Sequence, residues 1–241
     1  MKKVLVLDFG GQYNLLVARR VRECGVYCEI RSWRESMENI RAFQPDALIF
    51  TGGPATVFEP NAPMVDPALF SMGIPVLGIC YGQQLMIHLL GGQCRRAETR
   101  EYGKVELTHN GKSPLFKDIP ATAVYWMSHG VEVETLAPGF EVVASTDGCR
   151  CAAIQCAEKQ LYGVQFHPEV LHTQYGKELL QNFLARCPIL LWYVEQAKYQ
   201  TDGSRRDAEN RNHFLNLLFR HAFVPSFSRC SDGRMPDMAR P

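Results

Sequence analysis

The chain has 241 residues, with 26 Lys and Arg against 25 Asp and Glu and with 46% hydrophobic residues. This is ordinary globular composition, and it excludes collagen-like, coiled-coil and wholly disordered sequence. A formal net charge of +1 lacks the basic excess of a dedicated nucleic-acid binder, so we expect a small-molecule substrate and no nucleic-acid partner. The length allows one large domain with an appendage, and is too short for two full-sized enzymatic domains.

The nine cysteines are expected to be free thiols. The first apolar run, residues 4–7, meets Asp8 and two glycines too soon to be a signal peptide or a membrane span. We therefore expect a cytoplasmic protein with no membrane attachment. The cysteine spacings match no zinc pattern with paired C-x-x-C ligands, so no metal site is predicted.

Short apolar runs alternate with helix-period segments through the first part of the chain. Strands are predicted at residues 4–9, 26–30, 47–50 and 76–79, and helices at residues 13–24 and 83–90. Strands that are apolar on both faces and alternate with helices predict an α/β fold with a doubly wound, mainly parallel sheet flanked by helices. Ligands of such sheets bind beyond the carboxyl ends of the strands.

The pattern changes after residue 105 to shorter, alternating runs. These predict strands at residues 105–108, 123–127, 141–144 and 152–155, which would form a smaller antiparallel edge sheet. A further strand at residues 162–166 and a helix at residues 176–186 complete a domain predicted to span residues 1–187. The remaining residues, 188–241, are predicted to be a tail that is helical at 189–199 and 213–223 and disordered at 225–241.

The most specific local motif is PVLGICYGQQL at residues 75–85, a buried strand followed by a tight turn and a helix. Glycines stand two residues before and two residues after Cys80, which is the arrangement of a nucleophile elbow with sulfur in place of the serine oxygen. The helix N-terminus would stabilise a thiolate there. The alternative is that Cys80 is a small buried apolar residue in a turn.

A thiolate nucleophile needs a base and an orienting acid from elsewhere in the chain. His167 directly follows a predicted strand, so it would lie at the same carboxyl edge of the sheet as Cys80, and Glu169 is close enough to orient its imidazole. A histidine before a proline is by itself more often a loop residue, but the elbow reverses that preference. For the oxyanion, the Gly53 region in TGGP at residues 51–54 and the backbone amide of Tyr81 could supply donors.

The segments LDFGGQY at 7–13, TGGP at 51–54, GICYGQQ at 78–84 and GVQFHPE at 163–169 together resemble the class I (triad) glutamine amidotransferases. Within that family, REYG at 100–103, WMSHG at 126–130 and VLHTQYGK at 170–177 are similar to the amidotransferase domain of GMP synthases. The resemblance covers residues 1–187 in consistent order. It implies glutamine hydrolysis that supplies ammonia for the amination of XMP to GMP.

The resemblance also implies a role for individual residues. Cys80 would attack the γ-carboxamide of glutamine, His167 would protonate the departing ammonia and then activate water, and Glu169 would hold His167. Oxyanion-hole amides are expected from Gly53 and Tyr81. The residues expected to bind glutamine are Gly52, Gln84, Ser128, His129 and Gly130, although His129 could instead be a structural turn residue.

One position departs from the pattern of the family. An aspartate commonly follows Ser-His-Gly, where it would meet the α-amino group of glutamine, and this chain has Val131 there. The adjacent Glu132 would point to the opposite face of an extended strand. We therefore expect weakened glutamine binding, seen as a raised KM.

A complete GMP synthase also needs an ATP-pyrophosphatase domain, which the resemblance would identify by an SGGVDS phosphate loop. Nothing after Cys187 resembles that loop. No cofactor is therefore expected in this chain, and ATP and Mg²⁺ are expected only at a separate or missing synthetase partner. Residues 188–241 could be the tail of a natural subunit or the product of a truncation or frameshift.

Three other interpretations of the sequence remain open. The chain could be the amidotransferase subunit of an anthranilate or aminodeoxychorismate synthase, although those usually differ at Ser-His-Gly. It could be a non-catalytic binding module, against which the joint presence of Cys80, His167 and Glu169 counts. It could also be a cysteine protease or γ-glutamyl hydrolase of similar fold, although Gly-Gln-Gln after Cys80 favours glutamine hydrolysis.

Overall fold

A computed structural model describes residues 2–187, which contain nine strands and four α-helices. In chain order the elements are β1 (Lys3–Asp8), α1 (Asn14–Glu23), β2 (Tyr27–Ser32), α2 (Met37–Phe43), β3 (Ala47–Phe50), β4 (Val76–Ile79), α3 (Tyr81–Leu89), β5 (Gln93–His109), β6 (Thr122–Thr135), β7 (Glu141–Ser145), β8 (Ala153–Cys156), β9 (Leu161–Val164) and α4 (Gly176–Leu184). Short 3-10 helices lie at Pro67–Ser71 and Pro114–Phe116. The expectations for residues 188–241 lie outside the described residues, and the domain boundary at 187 stays a prediction.

All nine strands belong to one sheet, in the order β2-β1-β3-β4-β9-β8-β7-β5-β6. The first five strands in that order pair in parallel. Every residue of β3, β4 and β9 is buried, as expected of strands that are covered on both faces. The predicted mainly parallel α/β fold is confirmed.

Helices cover both faces of the parallel strands. In β1, Val4 and Val6 belong to one hydrophobic cluster and Leu5 and Leu7 to another, because successive side chains of a strand point to opposite faces. Buried residues of α1 and α4 pack in the first cluster, and Tyr81, Leu85 and Met86 of α3 pack in the second. The sheet is therefore doubly wound, as predicted.

The antiparallel strands continue the same sheet beyond β9. The prediction found the right region but made two strands too short, since β5 has 17 residues and β6 has 14. Most residues in the first half of β5 are exposed or only half-buried, so this part of the strand lacks the apolar alternation that marks a buried face. Helix α2 was not predicted, because Ile40 is its one buried residue.

The topology brings the ends of β4 and β9 together. These strands are parallel neighbours in register, with Ile79 opposite Val164. Cys80 and Gln165, which follow directly, therefore emerge side by side at the carboxyl edge of the sheet. Among the helices described between residues 2 and 187, none is both long and apolar enough to cross a membrane.

Candidate active site

Cys80 occupies a sharp turn between β4 and α3. Its backbone has φ 51° and ψ −105°, a conformation that side-chain-bearing residues rarely adopt. A Cβ added to Gly78 would lie 2.5 Å from the carbonyl carbon of Gly82, and one added to Gly82 would lie 2.5 Å from the backbone oxygen of Phe50. Both glycines are therefore needed for the close approach of strand and helix, as the elbow motif predicts.

His167 and Glu169 form a buried hydrogen-bonded pair beside this turn. Nδ1 of His167 donates to Oε1 of Glu169 over 2.7 Å, and the two residues are 6% and 1% exposed. A Cβ on Gly52 would lie 3.1 Å from Cε1 of His167 and 3.5 Å from Cβ of Cys80, so only a glycine fits between the two side chains without displacement. The structure thus brings Cys80, His167 and Glu169 together.

The surroundings of His167 favour its charged form. Burial alone would lower the pKa of the imidazole, but hydrogen bonds to Cys80 and Glu169, together with the negative charges of these groups, raise the pKa of His167 to about 10. At neutral pH the imidazole therefore carries two protons. An imidazolium beside a sulfur can form the ion pair that cysteine-dependent hydrolases use.

The loop that carries His167 is tied to β6. The backbone amide of His167 donates to the oxygen of Trp126 over 3.0 Å, and the hydroxyl of Thr173 donates to the oxygen of His167 over 2.6 Å. Thr173 in turn accepts from the amide of Trp126 over 3.0 Å. The ring of Tyr13 meets the imidazole edge-on, with centroids 5.3 Å apart. These contacts fix the imidazole in front of Cys80.

A cleft of about 560 Å³ opens at the carboxyl edge of the sheet. Its lining includes every residue that the sequence predicted for the site: Cys80, His167, Glu169, Gly52, Gly53, Tyr81, Gln84, Ser128, His129 and Gly130. The backbone oxygen of Ser128 lies 3.8 Å from Sγ of Cys80. Segment 128–130, on the long strand β6, therefore forms the wall opposite the elbow.

The predicted oxyanion-hole residues contribute backbone to the cleft. Tyr81 is the first residue of α3, so its amide is one of the first-turn donors that have no acceptor within a helix. Its side chain is committed elsewhere, because the hydroxyl donates to the oxygen of Pro63 over 2.7 Å and burial raises its pKa to about 12. Gly53 packs on the end of β1, where a Cβ would lie 2.6 Å from the oxygen of Phe9. The role of both amides stays a prediction.

Two buried glutamines connect the wall of the cleft to the sulfur. Nε2 of Gln84 donates to the oxygen of Val131 over 3.0 Å and to Oε1 of Gln165 over 3.1 Å. Nε2 of Gln165, in turn, donates to Sγ of Cys80 over 3.6 Å. Gln165 belongs to a motif recognised in the sequence, but no role was predicted for it. Its one signal was a polar side chain at the end of a buried strand.

The side chain of His129 is held by the protein on both ring nitrogens. Nδ1 faces the oxygen of Val131 at 3.2 Å, and Nε2 faces Oε2 of the buried Glu101 at 3.1 Å. Because a carbonyl oxygen can only accept, Nδ1 is the donor in the bond to Val131. Oε1 of Glu101 accepts from the hydroxyl of Thr146 over 2.7 Å. Glu101 therefore braces the cleft wall, a role that was not predicted from the sequence.

Among the described residues, Glu101, His129 and Cys149 could together offer three metal ligands within 4.8 Å of one another. Both carboxylate oxygens of Glu101 already have hydrogen-bond partners. Burial, together with the nearby charge of Glu101, raises the pKa of the Cys149 thiol well above its usual range, which disfavours the thiolate that a metal would need. The hydrogen bonds account for the cluster, and we assign no metal to it.

Val131 lines the cleft and stands opposite Arg96 in the pairing of β5 with β6. Its neighbour Glu132 does not line the cleft but forms an ion pair with Arg95 over 2.9 Å, which confirms that it points to the other face. Arg96 and Arg100 also line the cleft. Arg100 belongs to the REYG motif recognised in the sequence, but no role was predicted for it or for Arg96.

The fold and the site together define a doubly wound α/β protein. Its site places a cysteine at a strand-to-helix turn beside a buried His–Glu pair. The family model for class-I glutamine amidotransferases matches residues 5–187. The chain belongs to the class-I glutamine amidotransferase family.

Two similar proteins of known sequence carry the same name. The chain is 55% identical over 181 residues to "GMP synthase [glutamine-hydrolyzing]" of Caldicellulosiruptor saccharolyticus, a match that covers 75% of this chain and 35% of that protein. It is 55% identical over 183 residues to the protein of the same name in Agathobacter rectalis, with 76% and 35% covered. The matched segment thus spans about a third of the length of these curated relatives.

Solved structures show the same fold. A candidate GMP synthase subunit from Thermoplasma acidophilum is 30% identical with a TM-score of 0.68, and the match covers 82% of this chain and 98% of that one. A glutamine amidotransferase from Thermotoga maritima is 18% identical with a TM-score of 0.56, covering 91% and 97%, and supports the fold alone.

Proposed function

We propose that this chain hydrolyses glutamine to glutamate and ammonia with Cys80, His167 and Glu169, and that the ammonia aminates XMP to form GMP. The observation that carries the proposal is the 2.7 Å bond between His167 and Glu169 directly beside the elbow cysteine. The relatives named as glutamine-hydrolysing GMP synthases, at 55% identity, favour GMP synthesis over other amidations.

The geometry supports a two-step mechanism. Sγ of Cys80 attacks the γ-carboxamide carbon, and the oxyanion is stabilised by the amides of Gly53 and Tyr81. The imidazolium of His167 gives its Nε2 proton to the nitrogen, so the C–N bond breaks, ammonia leaves and a γ-glutamyl thioester remains. Water then attacks the thioester, His167 takes its proton, and glutamate is released as the C–S bond breaks. Glu169 keeps the imidazole oriented throughout.

The synthetase half of the reaction is proposed to belong to a partner. The curated relatives are GMP synthases of which the chain matches 35%, whereas it matches 98% of the candidate GMP synthase subunit from Thermoplasma acidophilum. ATP, Mg²⁺ and XMP would bind to an ATP-pyrophosphatase partner, and this chain would supply ammonia in the cytoplasm.

The test is ammonia release from glutamine by the full chain, with and without an added ATP-pyrophosphatase protein, XMP, ATP and Mg²⁺. We expect activity in the wild type and none in Cys80→Ala. The control Cys24→Ala, which loses a thiol outside the cleft, should stay active. GMP should form from glutamine when the partner is present. Full ammonia release by Cys80→Ala would overturn the assigned nucleophile, and glutaminase activity that never supports GMP formation would contradict the partner.

A further inference from the structure

Arg20 lies on α1 and hydrogen-bonds to the backbone of Glu169. Its Nε donates to the backbone oxygen of Glu169 over 3.0 Å, a contact between residues 149 positions apart in the sequence. Its Nη1 donates to Oε2 of Glu23 on the same helix over 2.7 Å, and the side chain of Arg20 is 18% exposed. The guanidinium therefore joins α1 to the loop that carries His167.

Helix α1 holds this donor rigidly. Val17, Ala18 and Val21 are buried in the same hydrophobic cluster as residues of β1 and α4. Because Arg20 lies within this stretch of the helix, its backbone cannot move unless that cluster repacks. The donor thus comes from a packed helix and not from a loop.

The acceptor belongs to the loop between β9 and α4, which no strand or helix fixes. Pro168 has no N–H to donate, so this loop has one backbone donor fewer. In the described part of the chain, Arg20 is the one hydrogen-bond donor to the backbone oxygen of Glu169, a residue that is 1% exposed. Loss of the guanidinium would leave this buried oxygen without a partner, and the loop would shift to solvate it.

The position of the Glu169 carboxylate follows from the position of this backbone. Oε1 accepts from Nδ1 of His167 over 2.7 Å, whereas Oε2 has no hydrogen-bond partner among residues 2–187. His167 is held separately, because its backbone amide donates to Trp126 of β6. The two halves of the pair are therefore anchored by different elements, His167 by β6 and Glu169 by α1.

We propose that Arg20 is a positioning residue for the triad, and that its hydrogen bond to the backbone of Glu169 keeps the carboxylate against the imidazole of His167. Arg20 is not among the residues that line the cleft, so it acts through Glu169. The inference rests on the proposed hydrolysis at Cys80 and adds a residue for which the sequence predicted no role.

Two variants separate the hydrogen bond from the charge. Arg20→Met has a similar shape up to the position of Nε but has no donor there. Arg20→Gln has an amide nitrogen at the position of Nε, so it can keep the hydrogen bond without the charge. Arg19→Met is the matched control, because Arg19 is the neighbouring residue, also pairs with Glu23 and has a side chain that is 75% exposed.

The first measurement is ammonia release from glutamine in the presence of the synthetase partner, normalised to the amount of Cys80 that can be alkylated. Arg20→Met should lower kcat by about tenfold or more, because the imidazole loses its orientation. KM should change by less than about threefold, because the cleft wall is untouched. Arg20→Gln and Arg19→Met should keep kcat within about threefold of the wild type.

The second measurement is the pH midpoint of Cys80 alkylation by iodoacetamide, which needs no turnover. Arg20→Met should move this midpoint upward by about half a pH unit or more, because a displaced Glu169 no longer stabilises the imidazolium that faces the sulfur. A loss of stability alone would reduce the amount of folded protein without moving the midpoint. The midpoints of Arg20→Gln and Arg19→Met should stay at the wild-type value.

A folded Arg20→Met protein that has the kcat and the midpoint of Arg19→Met would overturn the inference, as would a loss of kcat with an unmoved midpoint. If Arg20→Gln behaves like Arg20→Met, the charge and not the hydrogen bond is responsible, and the inference also fails. Should Arg20→Met not fold, Arg20→Lys replaces it, because its donor lies one bond beyond the position of Nε. Its midpoint should move in the same direction, and an unmoved midpoint counts against the inference.

Failure of the proposed function gives a different result. If the wild type releases no ammonia, but the midpoint moves in Arg20→Met and stays in Arg20→Gln and Arg19→Met, the glutaminase proposal fails and the positioning role of Arg20 stands. If ammonia is released equally by all four proteins with equal midpoints, the positioning role fails and the glutaminase proposal stands.

Discussion

Gln165 donates its side-chain amide to the sulfur of Cys80 over 3.6 Å. The two residues follow neighbouring parallel strands, and the pairing of Ile79 with Val164 fixes their relative position. The backbone amide of Cys80 also donates to the oxygen of Val164 over 2.8 Å. The rigid edge of the sheet, and not a mobile loop, therefore places a hydrogen-bond donor against the sulfur.

Replacing Gln165 by leucine should make Cys80 less reactive. A hydrogen bond to a charged acceptor contributes about 1.5 kcal/mol or more, so its loss should move the pH midpoint of Cys80 alkylation by iodoacetamide upward by about one pH unit. Gln155→Leu is the control, because Gln155 is a buried glutamine that donates to Glu141 instead. An unchanged midpoint in a folded Gln165→Leu protein would show that the donor does not stabilise the thiolate.

A methyl group on Gly82 should destabilise the whole domain. Its Cβ would lie 2.5 Å from the backbone oxygen of Phe50 in β3, a buried strand that cannot move aside. We expect Gly82→Ala to cost about 3 kcal/mol of unfolding free energy. Gly25→Ala, at a positive φ but with no atom near the new Cβ, should cost about 1 kcal/mol. Chemical denaturation measures both, and equal losses would contradict the crowding argument.

The ionisation of His167 should make stability depend on pH. Its pKa is raised from 6.5 to about 10, partly by the negative charge of Cys80, so the proton that the folded imidazole keeps is matched by the one that the thiol of the unfolded chain retains up to about pH 8.5. The stabilisation is therefore lost as the pH rises from about 8.5 toward 10, by about 1 kcal/mol for each pH unit at most.

Comparison with His167→Gln isolates this contribution from other groups. The difference in unfolding free energy between the wild type and the variant should shrink as the pH is raised through that range, with urea denaturation as the measurement. The same pH dependence in both proteins would show that the imidazole does not carry the extra proton.

The sequence was most informative where strands are buried on both faces. The predicted bounds of β3 and β4 agree with the structure, because continuous apolar runs end abruptly at Thr51 and Cys80. Parallel pairing then carries the residues after each strand to the same edge, which is why Cys80 and His167 could be placed together from two distant motifs.

The cleft wall was much less predictable. The first half of β5 is mostly exposed, so its polar sequence gives no strand pattern, and the position of Arg96 opposite Val131 depends on a pairing over long sequence distance. The pairing is also irregular between Arg96 and Glu101. Contacts such as that of Glu101 with His129 arise from this register, which no local pattern encodes.

Glu101 should act as a positioning residue for the cleft wall, and its variants separate charge from hydrogen bonding. In Glu101→Gln the amide can donate to Nε2 of a neutral His129, so we expect KM for glutamine to change by less than about threefold. Glu101→Leu leaves the imidazole and the hydroxyl of Thr146 without their partner and should raise KM by about tenfold, with less effect on kcat, because segment 128–130 is proposed to bind substrate and the triad is untouched. Steady-state ammonia release measures both kcat and KM. Thr146→Val removes one hydrogen bond to Glu101, so its KM for glutamine should lie between those of Glu101→Gln and Glu101→Leu. A kcat loss that exceeds the change in KM in a folded Glu101→Leu protein would contradict a role confined to positioning the wall.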